Sequence, residues 1–285
     1  MELSIIISVH NEERYLPAQL DALLDQSWDG EWEVIVVDNR STDATAQIVT
    51  DRAAVDSRVR LVAAHDRAGQ SYGRNIGARV AKGSNLAFCD GDDIVASGWV
   101  GAIGDGLRQH EVVTGPHELD RLNPRWLADT RGRSIEQPVG TFFEIFPCIR
   151  GAGWGIRRHL WERLGGMRED FGACEDLELS LRCWLAGHDI VGIPEAVVHY
   201  RYRQAPQALW RQGMAYGANR PRITRMLVDR GLPRPPRLAG AGSWLRLVIA
   251  WPGLVTKGGR ASWIWIAGNR LGQVIGSCRA RVVML

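Results

Sequence analysis

The sequence predicts an α/β fold: a doubly wound, mainly parallel sheet flanked by helices, with a basic helical extension at the C-terminus. Three observations carry that expectation. Val- and Ile-rich runs alternate with amphipathic stretches over the first 115 residues. The resulting β-α-β-α rhythm is that of a mainly parallel, doubly wound sheet. From residue 200 onward the chain carries 15 Lys and Arg against a single acid, Asp229.

Strands are expected at residues 3–9, 33–38, 59–63, 85–89 and 111–114, with helices at 12–24, 44–51 and 73–80 between the first four. Polar residues cluster just after three of these strands: His10-Asn11-Glu12, Asp38-Asn39-Arg40-Ser41 and Asp90-Gly91-Asp92-Asp93. In open parallel sheets ligands bind outside the carboxyl ends of the strands, so the three clusters point to one crevice. Beyond residue 115 the pattern loosens into a polar, Arg-rich stretch to about residue 137. Gly151-Ala-Gly-Trp-Gly155 then leads into a helix at 157–164. A second helix is expected at 175–185, stopped by Gly187, with a strand at 190–200 and a helix at 207–230. Leu232-Pro-Arg-Pro-Pro-Arg237 reads as a stiff break. Two apolar stretches follow, at 244–255 and 263–275. Both fall short of the ~20 apolar residues that cross a bilayer, and both read as interfacial helices with Trp and Arg at their edges. The expected division is 1–205 for a catalytic domain and 206–285 for the basic, Trp-containing region.

Composition narrows the functional class. The 285 residues are 45% hydrophobic and 24% charged, ordinary for a packed protein. The five cysteines are scattered without a C-x-x-C pair, which argues against a zinc knuckle or a disulfide framework and for a reducing, cytoplasmic setting. Residues 1–9 lack the basic and long apolar regions of a signal peptide. The net charge of +3 conceals −11 over residues 1–199 and +14 over 200–285. The basic part therefore faces something anionic: a membrane surface on its cytoplasmic side, or the acidic domain beside it.

Neither a G-x-G-x-x-G after the first strand nor a P-loop is present, so phosphate must be bound by another device. Asp90, Asp92 and Asp93 supply one. Three carboxylates in four residues repel each other unless a cation intervenes, and oxygen ligands suit Mg²⁺ or Mn²⁺. An acidic turn capping the next helix is the plainer alternative. Asp38 can accept from a base or ribose, and Asn39 offers both donor and acceptor. Ser41 or Thr42 is the expected cap of the next helix, with Asp43 favouring its N-terminus. Arg74 can reach a diphosphate, or pair with an acid such as Asp66. Glu175-Asp176-Leu177-Glu178 opens a helix, where acids are expected for the macrodipole. A catalytic reading instead makes Asp176 the base that takes a proton from an attacking hydroxyl. Glu178 and Arg182 have i,i+4 pairing distance. His199, at a strand end, is a candidate metal or phosphate contact.

These segments together resemble the family 2 glycosyltransferases of the GT-A fold. The matching text is Ser4-Ile-Ile-Ile-Ser-Val-His-Asn-Glu-Glu13, Val36-Val-Asp-Asn-Arg-Ser-Thr-Asp43, Gly73-Arg-Asn-Ile-Gly77, Phe88-Cys-Asp-Gly-Asp-Asp93, Leu164-Gly-Gly-Met167 and Glu175-Asp176, in the family's order over residues 1–203. The resemblance implies a hexosyl- or deoxyhexosyltransferase that inverts the anomeric carbon. Its nucleotide-diphosphate sugar would lie against the first strand end (Val9, Asn11, Glu12), Asp38, Asn39, Arg74, Asp90 and Gly91. It implies a D-x-D motif at Asp90 and Asp92, with Asp92 as metal ligand, His199 completing the shell, and Asp176 as the base. The implied acceptor is a glycan, a lipid-linked sugar or a small molecule, in glycan or cell-envelope biosynthesis. The chain departs from the family at Asn39-Arg40, where Asp-Gly is frequent, and at His10, where Tyr is common. A binding protein without catalysis, or one whose basic tail engages nucleic acid, are the competing classes. The acidic crevice argues against nucleic acid, and none is expected as a partner.

Overall fold

A computed structural model describes residues 1–131, 137–236 and 240–284. Its centre is a seven-stranded sheet. In chain order the strands of the chain are β1 (Leu3–Val9), β2 (Trp32–Asp38), β3 (Val59–Ala63), β4 (Asn85–Cys89), β5 (Ile94–Val95), β6 (Val112–Thr114), β7 (His117–Glu118), β8 (Gly140–Phe142), β9 (Phe146–Cys148), β10 (Gly153–Arg157), β11 (Ile190–Gly192) and β12 (Val198–His199). The helices are α1 (Leu16–Leu24), α2 (Thr45–Val55), α3 (Gln70–Val80), α4 (Trp99–Gln109), α5 (Arg125–Arg131), α6 (Arg158–Leu164), α7 (Glu175–Leu185), α8 (Pro206–Val228), α9 (Ala241–Ile249) and α10 (Lys257–Ala280).

The main sheet runs β11-β6-β10-β4-β1-β2-β3, parallel except for β10. Branched residues make β1 and β2 stiff, β2 is fully buried and β1 is buried except at Ser8, and alternate side chains serve opposite cores. Leu3, Ile5, Ile7 and Val9 pack with α1 and α4, while Ile6, Ile35, Val37 and Phe88 pack with α3, α6 and α7. The sheet is thus covered on both faces. Register aligns Val9 with Asp38 and Ile6 with Phe88, so the exits of β1, β2 and β4 open side by side.

Sequence and structure differ in several places. The segment read as a glycine-rich lead-in contains β10, inserted antiparallel between β4 and β6. Its glycines are a packing requirement: a Cβ at Gly153 would collide with the Val198 side chain and come within 3.2 Å of Trp99 Nε1. The strand expected at 190–200 is two strands in different sheets, β11 beside β6 and β12 between β5 and β7. The polar stretch after 115 contains β7 and α5, and its residues 132–136 lie outside the described residues, as does Arg237 of the expected break.

The basic region does not hang free. Ile223 and Leu227 of α8 join Phe142, Phe146 and Leu181, and Leu209 joins Leu119, Leu127 and Tyr202. The two apolar stretches of the tail behave differently. The second lies inside α10, which packs along α8, while the first forms α9 and a 3₁₀ turn with no buried residue. Among the described residues no helix is long and apolar enough to cross a membrane. Small residues let α8 and α10 approach, and a Cβ at Gly217 would strike the Asn269 carbonyl oxygen. Gly217→Val is therefore expected to destabilise the protein by ~1–3 kcal/mol in urea denaturation. Gly242→Ala, which meets open space on α9, should leave stability unchanged or raise it by under ~1 kcal/mol.

Candidate active site

Loops at the carboxyl ends of β1, β2 and β4 build one side of the site. Asn11 adopts the left-handed conformation (φ 57°), accepts from Thr42 N at 2.8 Å and donates its own N–H to Ser41 Oγ at 3.0 Å. Val9 O accepts Asn39 N at 2.8 Å. Asp38 is buried, and takes Ser41 N at 3.1 Å and His65 Nε2 at 2.7 Å. Burial raises the Asp38 carboxyl, but these bonds outweigh it and hold the group below its ordinary value. Asn39 differs from expectation. Its amide donates to Ala64 O at 2.6 Å and Arg67 O at 2.7 Å, so both donors are spent on pinning the β3–α3 loop. The cap of α2 also differs: the cap position is Ala44, not Ser41 or Thr42, while Asp43 stands at the helix start as expected and accepts Thr45 N at 3.0 Å.

The turn after β4 holds the densest charge. Ligand oxygens of Asp90, Asp92 and Asp93 lie within 4.8 Å of one another. Burial, and then Asp90, push the Asp92 carboxyl up to about 6. Burial, and then Asp92, push Glu12 up to about 7, which places Glu12 against the same cluster. Asp93 is raised well above its ordinary value by burial, then by Asp92 and Asp90. Its Oδ1 accepts Arg201 N at 2.7 Å, while Oδ2 is buried without a partner. Gly91 lies between the acids, where a Cβ would come within 2.8 Å of Val9 Cγ1. Crowded hard oxygens with an unpartnered atom fit Mg²⁺ or Mn²⁺. His199 stands outside the three-carboxylate cluster. Its Nδ1 meets Glu118 Oε2 at 2.7 Å, leaving Nε2 for a ligand, the arrangement that orients metal-binding histidines.

Arg74 pairs with acids, as one of its two readings allowed, but buried and with Asp90 and Glu175 in place of Asp66. It is 1% exposed, with Nη2 2.7 Å from Asp90 Oδ1 and Nη1 3.5 Å from Glu175 Oε1. Its guanidinium thus joins the β4 turn to the start of α7, with both terminal nitrogens turned to carboxylates. Cys174 precedes α7 in the left-handed conformation (φ 63°), and Asp176 Oδ1 accepts Leu177 N at 2.8 Å. Burial raises Asp176 above its ordinary value, against the pull of Leu177 N–H and Arg74. Glu175 is pushed to about 7 by burial and then Asp176. The helix-face pair is present as well, with Arg182 Nη2 2.7 Å from Glu178 Oε2. Asp90, Arg74, Glu175 and Asp176 line one cavity of about 780 Å³.

Several residues that brace the candidate site escaped the sequence reading. Gln70 donates to Asp90 Oδ1 at 2.7 Å, and His65 holds Asp38. Buried Gln19 grips the acidic turn from both sides, donating to Asp90 O at 2.9 Å and accepting Val95 N at 2.9 Å. A glutamine on the apolar face of α1 was the available signal.

The sequence model described as "Glycosyl transferase family 2" matches residues 4–164. Glycosyltransferase GlyA of Streptococcus pneumoniae serotype 4 is 24% identical over 269 residues, covering 87% of this chain and 38% of its own length. The uncharacterized glycosyltransferase EpsJ of Bacillus subtilis strain 168 is 31% identical over 226 residues, covering 73% of this chain and 62% of its own. The chain therefore spans less than two thirds of either relative. Among solved structures, mannosyltransferase PcManGT from Pyrobaculum calidifontis, in complex with GDP-Man and Mn²⁺, superposes with a TM-score of 0.68 at 19% identity, covering 96% of this chain and 86% of that one. TarS 1-349 of S. aureus in complex with UDP-GlcNAc gives 0.56 at 18% identity, with 99% and 93% covered. At these identities the likeness is one of fold.

Arg74→Met leaves Asp90 and Glu175 facing each other without their shared cation. A loss of ~3–5 kcal/mol of stability is expected in urea denaturation. In a Glu175→Gln background the same substitution should cost at least ~1 kcal/mol less.

Proposed function

The chain belongs to glycosyl transferase family 2 and has the GT-A fold, and on that footing we propose that it moves a sugar from a nucleotide-diphosphate donor to an acceptor hydroxyl, with inversion at the anomeric carbon. The observation that carries the proposal is the shared cavity in which Asp90 and Asp176 meet, although 86 positions separate them in sequence. Donor complexes of two fold relatives, with GDP-Man and with UDP-GlcNAc, support a nucleotide-sugar donor.

On this reading the donor lies against the exits of β1, β2 and β4, beside Val9, Asn11, Glu12, Asp38 and the Asp90-Gly91 turn. Asn39 and Arg74 act there by holding loop and carboxylates in place. Asp176 takes the proton of the acceptor hydroxyl as its oxygen bonds to the anomeric carbon, and the bond from that carbon to the diphosphate breaks. The raised Asp176 carboxyl makes a stronger proton acceptor than an exposed aspartate. Asp92, with Asp90 and Asp93 beside it and His199 as a further candidate ligand, would hold Mg²⁺ or Mn²⁺, whose charge offsets that of the leaving diphosphate. Residues 1–205 form the donor-binding catalytic part in this scheme, and 206–285 the part that meets acceptor and membrane.

The membrane reading rests on α9 and the turn after it. Leu245, Val248, Ile249, Trp251 and Val255 are 59–84% exposed. Arg246, Lys257 and Arg260 flank them, and no acid occurs after Asp229. An apolar strip with cations at its edge suits the surface of an anionic bilayer, which supports a peripheral position on the cytoplasmic face.

Asp176→Asn should retain donor binding in a thermal-shift assay and lose ~10²–10⁴-fold in turnover. EDTA should abolish transfer, and Mn²⁺ should restore it. Vesicles with phosphatidylglycerol should pellet the protein and neutral phosphatidylcholine vesicles should not. Val248→Asp with Ile249→Asp should release it from the former without changing its melting midpoint. Equal pelleting with both lipids would remove the electrostatic basis for docking.

A further inference from the structure

Gln212, Tyr216 and Arg220 recur every four residues along α8, so they share one helix face, and all three line the cavity that holds Asp176. Asp176 lies near that face. Burial first, and then the Asp176 charge, push the Tyr216 phenol well above its ordinary value. Arg220 is half-buried, and among the described residues its guanidinium has no hydrogen-bond or ion-pair partner. A second cation stands close by on α10, where the backbone of Asn269 abuts Gly217. Arg270 is 7% exposed. Its Nη2 donates to Asn269 Oδ1 at 2.7 Å, and its Nε is buried without a partner. Burial, and then Arg220, hold its guanidinium below the ordinary value.

Two guanidiniums that repel each other, neither bonded to a carboxylate among the described residues, are costly where one of them, Arg270, is buried. Elsewhere the fold shows the contrary habit: Arg74, Arg182 and Arg222 each meet a carboxylate within 2.7 Å. Gln212 Oε1 is likewise buried without a partner and is free to accept from a hydroxyl. A cavity holding a candidate base, lined by Arg220 without a bonded partner and by a free acceptor, with Arg270 on the neighbouring helix, matches a hydroxylated anion.

We propose that this face of α8, with Arg270 beside it, is the acceptor subsite, and that it selects an acceptor carrying a phosphate-type anion next to the sugar that presents the reacting hydroxyl. The acceptor role rests on the glycosyl-transfer reading, whereas the anion site stands on the cations alone. The phosphate has two possible sources, a lipid carrier at the membrane or a soluble sugar phosphate.

Binding is tested first, on the full chain in EDTA without donor. The acidic turn then repels anions, and a soluble sugar 1-phosphate titrated by calorimetry reports the basic face. The wild-type chain should bind it, Arg220→Gln at least about tenfold more weakly, and Arg220→Lys within a few-fold of wild type. Arg220→Gln should melt at or above the wild-type midpoint, since no carboxylate loses a partner. No binding to wild type, equal binding by Arg220→Gln, or a lowered midpoint in that variant overturns the proposal.

Transfer is tested second, with nucleotide sugar and Mn²⁺. Three acceptors of one sugar are compared: a neutral alkyl glycoside, its lipid-diphosphate form and the soluble 1-phosphate. The ratio of kcat/KM for anionic over neutral acceptor should exceed ten in wild type and fall about tenfold in Arg220→Gln. Preference between the two anionic forms identifies the source, and equal use of the neutral glycoside overturns the proposal. A wild-type chain that splits no nucleotide sugar under any condition sinks the glycosyl-transfer reading and leaves the binding result standing.

Discussion

Arg74 lies almost wholly out of water, with one terminal nitrogen on Asp90 and the other turned to Glu175. A buried guanidinium is costly unless carboxylates face it, and buried carboxylates are costly unless a cation does. That mutual dependence fixes the distance between the turn after β4 and the start of α7. Gly151 O, 3.3 Å from Nη2, adds the loop before β10 to the same junction. Everything proposed for the site presupposes this junction, because it brings the candidate base to the acidic turn.

The junction does not relieve all the charge it gathers. Glu12, Asp92, Asp93, Glu175 and Asp176 are each raised, with burial as the first cause. The fold places cations at the margin: Arg201 donates to Asp92 O at 2.7 Å, and the Arg203 charge lowers both Glu12 and Asp92. These arginines begin the basic region, so part of its charge serves the acidic domain. Another part, at Arg222, meets Asp170 at 2.5 Å. Arg220 and the cations at the α9 turn are among those with no acidic partner among the described residues, and they carry the proposals for acceptor and membrane.

Much of the main sheet was legible because branched apolar runs encode buried strands by themselves. β1, β2, β3 and β4 required no knowledge of their neighbours. β10 was illegible for the opposite reason: glycine has no strand preference, and Gly153 is explained only by Val198 and Trp99, which come from remote parts of the chain. The single strand expected at 190–200 failed because its two halves pair with different partners. Local propensity holds no record of partner choice.

The sequence alone determined the alternation of strand and helix, the acids after β4 and at α7, and the polarity of charge along the chain. Each is a property of neighbours in sequence, set by side-chain shape, burial preference and charge. Tertiary structure alone decided that Arg74 is spent on carboxylates, that Asn39 pins a loop, and that α10 packs against α8 while α9 stays exposed. Those outcomes depend on which partner a polar or apolar group finds across the fold, and partners are chosen by the packing of the whole chain.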